Sequence, residues 1–169
     1  TVSSHLTIPA GLSFKGYGRW NITGKLSILG TAENPVVFTT LEEDAYGNPK
    51  DTQQNGQASY SQNGNYFVFY DASNDSSLIE NAIFRYAYQV PLQLNNASPT
   101  IRNCKFESFN KNAISMVGNC SPAIENNLFN NVSYPFSTSI LSYPASTVGN
   151  VIAGTTGRGI RINDETLSQ

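Results

Sequence analysis

The feature that most constrains this chain is a period of 22–23 residues in its C-terminal half. Ser98-Pro99 recurs as Ser121-Pro122, Ile101 as Ile124, Asn103 as Asn126 and Phe106 as Phe129, each at an offset of 23. One repeat earlier, Ile79, Asn81 and Phe84 precede Ile101, Asn103 and Phe106 by 22. One repeat later the pattern weakens to Thr147, Gly149 and Ile152, and a last partial repeat begins at Gly159. A fixed period of this length marks stacked supersecondary units, each unable to bury its apolar face alone.

Each repeat also carries a short alternating segment. These are Leu92/Leu94, Ile114/Met116, Thr138/Ile140 and Ile160/Ile162. Period-two alternation places one face of a strand in a core. No two-residue hairpin turn sits symmetrically between paired runs in this half, so the strands are not arranged as hairpins. The expected fold is an all-β, single-stranded right-handed parallel β-helix, a solenoid of about 6–7 coils.

Three vertical ladders follow. Asn81, Asn103 and Asn126 stack at one corner, where amide side chains can bond to each other and to turn backbone. Glu80, Arg102 and Glu125 alternate in sign beside them, a favourable arrangement between neighbouring strands. Phe84, Phe106 and Phe129 form an aromatic stack in the core.

The N-terminal half repeats this character less regularly, with pairs Leu6/Ile8, Leu12/Phe14, Leu26/Ile28 and Val36/Phe38. From 42 to 65 the pattern stops. The polar run there shows no apolar face and reads as a long loop insertion, the kind of segment that carries function. Tyr66–Tyr70 resumes the solenoid. The chain reads as one domain over residues 1–169, and as a piece of a longer protein.

The segments Leu6–Gly11, Gly24–Thr31 and Asn34–Thr40 resemble the opening coils of pectate-lyase-like right-handed parallel β-helix domains of bacterial secreted and surface proteins. Asp44–Gly47 and Asp51–Gly56 resemble the Asp- and Gly-rich insertion such domains carry. The resemblance implies a secreted or cell-surface, extracellular protein. It does not select a function, because the fold hosts lyases, hydrolases, adhesins and scaffolds.

Catalysis on this fold would need clustered groups. Galacturonan hydrolases of the superfamily use several aspartates, a histidine and an Arg-x-Lys element. Here Asp71, Asp75 and Asp164 are scattered, Arg161-Ile162-Asn163 ends in Asn, and the single His5 lies far from any carboxylate pair. No two carboxylates recur at matched repeat positions with an intervening gap suited to acid/base work. The chain therefore reads as non-catalytic, without assigned catalytic or cofactor residues. The alternative is a fragment of a polysaccharide lyase or glycoside hydrolase.

Two binding candidates remain. Asp44, Asp51 and Asn55 offer oxygen ligands near a Gly turn, as Ca²⁺ requires, although Gln53 stands where a middle ligand is usual. Tyr17 and Trp20, with Tyr46, Tyr60, Tyr86 and Tyr88, fall in expected turns or loops and could stack on sugar. The competing reading of Trp20 is a cover over the first coils. Expected partners are polysaccharide or another surface protein, and the open solenoid ends predict end-to-end self-association. Net charge is −2 without a basic stripe, which argues against nucleic acid. No apolar run reaches the length of a membrane span. Cys104 and Cys120 occupy different repeat positions and read as two free thiols.

Overall fold

The computed structural model describes residues 1–55, 64–71, 75–157 and 159–163. Among these there is no helix; the chain winds through about six coils, of which the first five each give one strand to each of three parallel sheets and the last gives a strand to two of them. The first coil holds β1 (His5–Pro9), β2 (Ser13–Lys15) and β3 (Arg19–Ile22), and the second β4 (Lys25–Leu29), β5 (Val36–Thr39) and β6 (Tyr66–Phe69). The third holds β7 (Leu78–Glu80), β8 (Ala82–Arg85) and β9 (Leu92–Asn95), and the fourth β10 (Thr100–Arg102), β11 (Lys105–Phe109) and β12 (Ile114–Val117). The fifth holds β13 (Ala123–Glu125), β14 (Leu128–Val132) and β15 (Phe136–Thr138), and the last β16 (Val151–Ala153) and β17 (Ile160–Ile162). Sheet 1 runs β1-β4-β7-β10-β13, sheet 2 from β2 to β16, and sheet 3 from β3 to β17.

The expected register holds through the middle coils. Ile79, Ile101 and Ile124 align in sheet 1, and Phe84, Phe106 and Phe129 in sheet 2. The phenyl stack extends further back, through Phe38 to Phe14. Its successive centroids lie 5.1, 5.2, 5.1 and 5.1 Å apart, with rings within 14° of parallel. Strand spacing imposes that separation, so one ring per coil fills the core with offset-stacked faces.

One alternating pair is corrected. Phe136 and Thr138, not Thr138 and Ile140, lie over Ile114 and Met116. Ile140 is exposed beyond the strand. Leu12 is likewise exposed and precedes β2, leaving Phe14 as the inward residue there.

The Asn corner has a conformational cause that periodicity does not reveal. Asn81, Asn103 and Asn126 adopt φ of +48°, +56° and +55°, and Gly149 continues the column at +73°. A single left-handed residue turns the chain between sheets 1 and 2, and Asn and Gly tolerate that region best. Asn81 donates Nδ2–H to the Gly30 carbonyl. The richer ladder lies one residue on. Asn127 donates Nδ2–H to the Ile101 carbonyl, and its Oδ1 accepts the Cys104 amide. Asn150 repeats the arrangement, donating to the Ile124 carbonyl and accepting the Asn127 amide. Of the charge ladder, Arg102 and Glu80 form a half-exposed pair at 2.8 Å.

Candidate binding surface

The outer flank of sheet 3, near the start of the solenoid, collects polar aromatic groups. β3 and β6 pair so that Arg19 aligns with Tyr66 and Asn21 with Val68. Alternation then turns Arg19, Asn21, Tyr66 and Val68 away from the core, with Tyr66 and Val68 themselves covered at 8% and 4% exposed, while Trp20 and Phe67 point into the core. The Arg19 guanidinium donates from Nε to Asn21 Oδ1 and from Nη2 to the Tyr70 hydroxyl, each at 2.9 Å. Tyr70 donates in turn to Asn21 Oδ1. Arg19 has no carboxylate within 4.0 Å among the described residues, so its charge faces solvent.

Tyr17 and Tyr88 stand beside this network, 61% and 46% exposed, with ring centroids 5.6 Å apart in an edge-to-face arrangement. The Tyr17 and Tyr66 hydroxyls meet at 3.3 Å. That bond, with burial adding to it, raises the Tyr66 phenol above its ordinary 10.0. Of the other tyrosines expected in exposed turns, Tyr86 is corrected: it is 6% exposed. Tyr60 lies outside the described residues.

Trp20 is corrected in placement. It lies in β3 and faces inward, stacked on Phe67 at 5.5 Å and edge-on to Phe14 at 5.6 Å. Its Nε1–H donates to Asn65 Oδ1, while Asn65 Nδ2 donates to the Phe14 and Gly16 carbonyls. Gly18 makes room for this: a Cβ there would sit 2.3 Å from Asn65 Oδ1. Trp20 thus covers the first-coil end of the core, with Asn65 locking its ring.

The 42–65 insertion is not wholly solvated, which corrects the expectation that it lacks a buried face. Glu43 is 4% exposed and Asn65 7%. The Glu43 carboxylate contacts Arg85 Nη1 at 2.8 Å and accepts the Ala45 amide. Glu107 approaches Arg85 Nε at 3.4 Å. The Tyr46 and Tyr86 rings lie 5.6 and 5.1 Å from the same guanidinium, within cation–π range. This is where carboxylates converge, and Arg85 fills the space between them.

Of the calcium candidates, Asp51 Oδ1 accepts the Asn55 backbone amide at 3.3 Å, while Asn55 Nδ2 donates to Gln53. Asp44 lies half-buried beside Glu43. Among the described residues no three His, Cys, Asp or Glu side chains gather at metal-binding distance. Gly56 lies outside those residues, as does Asp164. Open depressions of 160 Å³ beside Asn81 and Lys105, and 330 Å³ beside Leu12 and Asn48, carry almost no titratable groups.

Both cysteines are buried and unpaired. Cys104 occupies the column of Asn127 and Asn150, and its thiol donates to the Ile79 and Arg102 carbonyls. Burial pushes that thiol up from 9.0 to about 12. Above pH 9 the unfolded chain loses this proton while the folded chain keeps it. The thiol's contribution to stability is therefore complete below pH 9 and is lost as the pH rises toward 12. We expect urea midpoints to fall between about pH 8 and about pH 10.5, and Cys104→Ala to flatten part of that decline. An identical decline in the variant would assign it to other groups.

A family model described as the right-handed beta helix region matches residues 55–169. No curated protein and no solved structure matches the chain.

Proposed function

The chain belongs to the right-handed β-helix family, and from that membership we propose that it is a non-catalytic extracellular module binding polysaccharide through the tyrosine flank of sheet 3. The carrying observation is the pair of exposed rings, Tyr17 and Tyr88, beside a solvent-facing Arg19 held by Tyr70 and Asn21. Rings of this kind cover the apolar faces of a sugar, and guanidinium, amide and phenol groups bond its hydroxyls. Further along the outer row, Gln93 and Ser115 continue uncharged. Secretion or cell-surface display belongs to the same proposal and rests on the resemblance of the opening coils.

A lyase or hydrolase fragment is the weaker reading. Its carboxylates would have to stand free across a substrate. Glu43 and Glu107 instead both face Arg85, and Glu43, at the start of the insertion, is buried.

The test is depletion of the protein on a panel of plant, microbial and host polysaccharides, with and without Ca²⁺, read together with release of new sugar ends. Binding without release is the expected result. Tyr17→Ala should weaken it about ten-fold while leaving the unfolding transition in place, as for an interfacial aromatic anchor. Release of sugar ends would overturn the non-catalytic reading. Binding that requires Ca²⁺ would assign a role to Asp44, Asp51 and Asn55; no depletion on any polysaccharide would defeat the proposal.

A further inference from the structure

Arg19 is held in place with half of its guanidinium unused. The group presents N–H donors in a rigid planar fork. Nε–H goes to Asn21 Oδ1 and one Nη2–H to the Tyr70 hydroxyl, both at 2.9 Å. The Tyr70 hydroxyl is itself bonded to Asn21 Oδ1 at 3.1 Å, so both partners sit on the side of the fork that Nε and Nη2 share. The end edge, made of Nη1 and the other Nη2–H, meets no hydrogen-bond acceptor or carboxylate among the described residues. Arg19 is exposed, and the Tyr17 and Tyr88 rings stand beside its network. Further along sheet 3 the outward row is poor in charge. From Asn21 it runs through Val68, Gln93, Ser115 and Ser137 before it reaches Arg161. Arg161 stands five strands on, about 24 Å at ordinary strand spacing. Asp71, directly after Tyr70, is exposed and adds a negative charge to the same flank.

We propose that Arg19 reads an isolated carboxylate on an otherwise neutral polysaccharide, an assignment that rests on the binding role given above to the tyrosine flank. The end edge of a guanidinium offers two parallel N–H groups, which match the two oxygens of a carboxylate. Asn21 and Tyr70 fix the fork before the ligand arrives, so little side-chain freedom is left to lose on binding. Solvent screens a lone surface ion pair, but planar two-point bonding adds geometry to charge and rejects a ligand without the acid. A wholly neutral polymer would put only hydroxyls against that edge. A polymer with an acid on every sugar fits no better. Its further carboxylates would lie over Gln93 and Ser115 and near Asp71, with no cation in the row until Arg161.

The test compares depletion of the full chain on xanthan and gellan, whose carboxylates are separated by neutral sugars, with depletion on their carboxyl-reduced forms. Alginate, which carries an acid on every sugar, and a neutral glucan complete the set. Affinity for xanthan or gellan should fall about ten-fold on reduction, the loss expected for a charge-assisted pair. Alginate should bind more weakly than either. Arg19→Gln should bind native and reduced polymers alike, and Arg19→Lys, which keeps the charge without the fork, should recover only part of the difference. The reduction experiment uses the parent chain and so does not depend on how the variants fold. Equal binding before and after reduction overturns the proposal, as does a preference for the native polymer that survives in Arg19→Gln. Alginate binding as tightly as xanthan, or binding confined to the neutral glucan, overturns it equally. In each of those cases the flank remains a glycan site, on which Tyr17→Ala still reports. No depletion on any polymer, charged or neutral, is instead the failure of the flank itself.

Discussion

Phe106→Ala should lower the unfolding free energy by about 3–5 kcal/mol, the usual loss for a buried phenylalanine cut back inside a packed core. Phe106 is fully buried, and its ring lies 5.1 Å from both Phe84 and Phe129, within 7° of parallel with each. No side chain can slide along the column into the gap, because strand pairing fixes the coils on either side. The position also matters for cooperativity. In a solenoid each coil touches only its neighbours, so a hole at the fourth coil weakens the coupling of the first three to the rest. Trp20 is the only tryptophan and sits in the first coil. Its fluorescence reports that end alone, while circular dichroism reports all coils. The two transitions should coincide in the parent chain and separate in the variant. A loss below about 1 kcal/mol would mean that the phenyl column is not close-packed at this rung.

The same column explains how much of the fold could be read directly. Strand pairing forces corresponding residues into vertical register, so Phe84, Phe106 and Phe129 recur at nearly constant offsets. The Asn corner recurs because it needs a left-handed residue. The reading failed where local length or local composition misled it. The fifth coil keeps Phe136 and Thr138 over Ile114 and Met116. An isoleucine two positions on looks equally suited to the core until pairing is known. Trp20 follows Gly16 and Gly18, which read as a turn. Gly18 is instead the clearance for Asn65, 47 residues away and at the far end of an aperiodic insertion. Arg19, Asn21 and Tyr70 come together only because β3 and β6 are neighbours. No periodic signal marks them, since the 42–65 insertion separates these strands and breaks the offset. The buried Glu43 was invisible for a related reason: a lone carboxylate in a polar run shows its burial only through Arg85 and Glu107 on the next two coils.

That cluster carries the second large prediction. Arg85→Met should destabilise the protein by about 3 kcal/mol, because it leaves the buried Glu43 carboxylate without its counter-charge. The Glu43 and Arg85 side chains are 5% and 19% exposed, and Glu107 is 20% exposed on the other side of the guanidinium. Removing the cation strands one carboxylate in a place that water scarcely reaches and sets a second beside it. Adding Glu43→Gln to Arg85→Met should recover part of the loss. The amide carries no charge and can still accept the Ala45 amide through its oxygen. A double-mutant cycle with Glu43→Gln alone measures the pair's coupling, which should exceed the about 0–1 kcal/mol of an exposed ion pair. The insertion supplies an independent readout. Arg85 holds it through Glu43 and through the Tyr46 ring, so proteolytic cleavage between Ala45 and Asn55 should quicken in Arg85→Met well below the unfolding transition. If stability falls while the cleavage rate does not change, Arg85 supports only the solenoid wall. If neither moves, the ion pair adds nothing to stability, and the insertion is held by Asn65 and its bonds to the first coil.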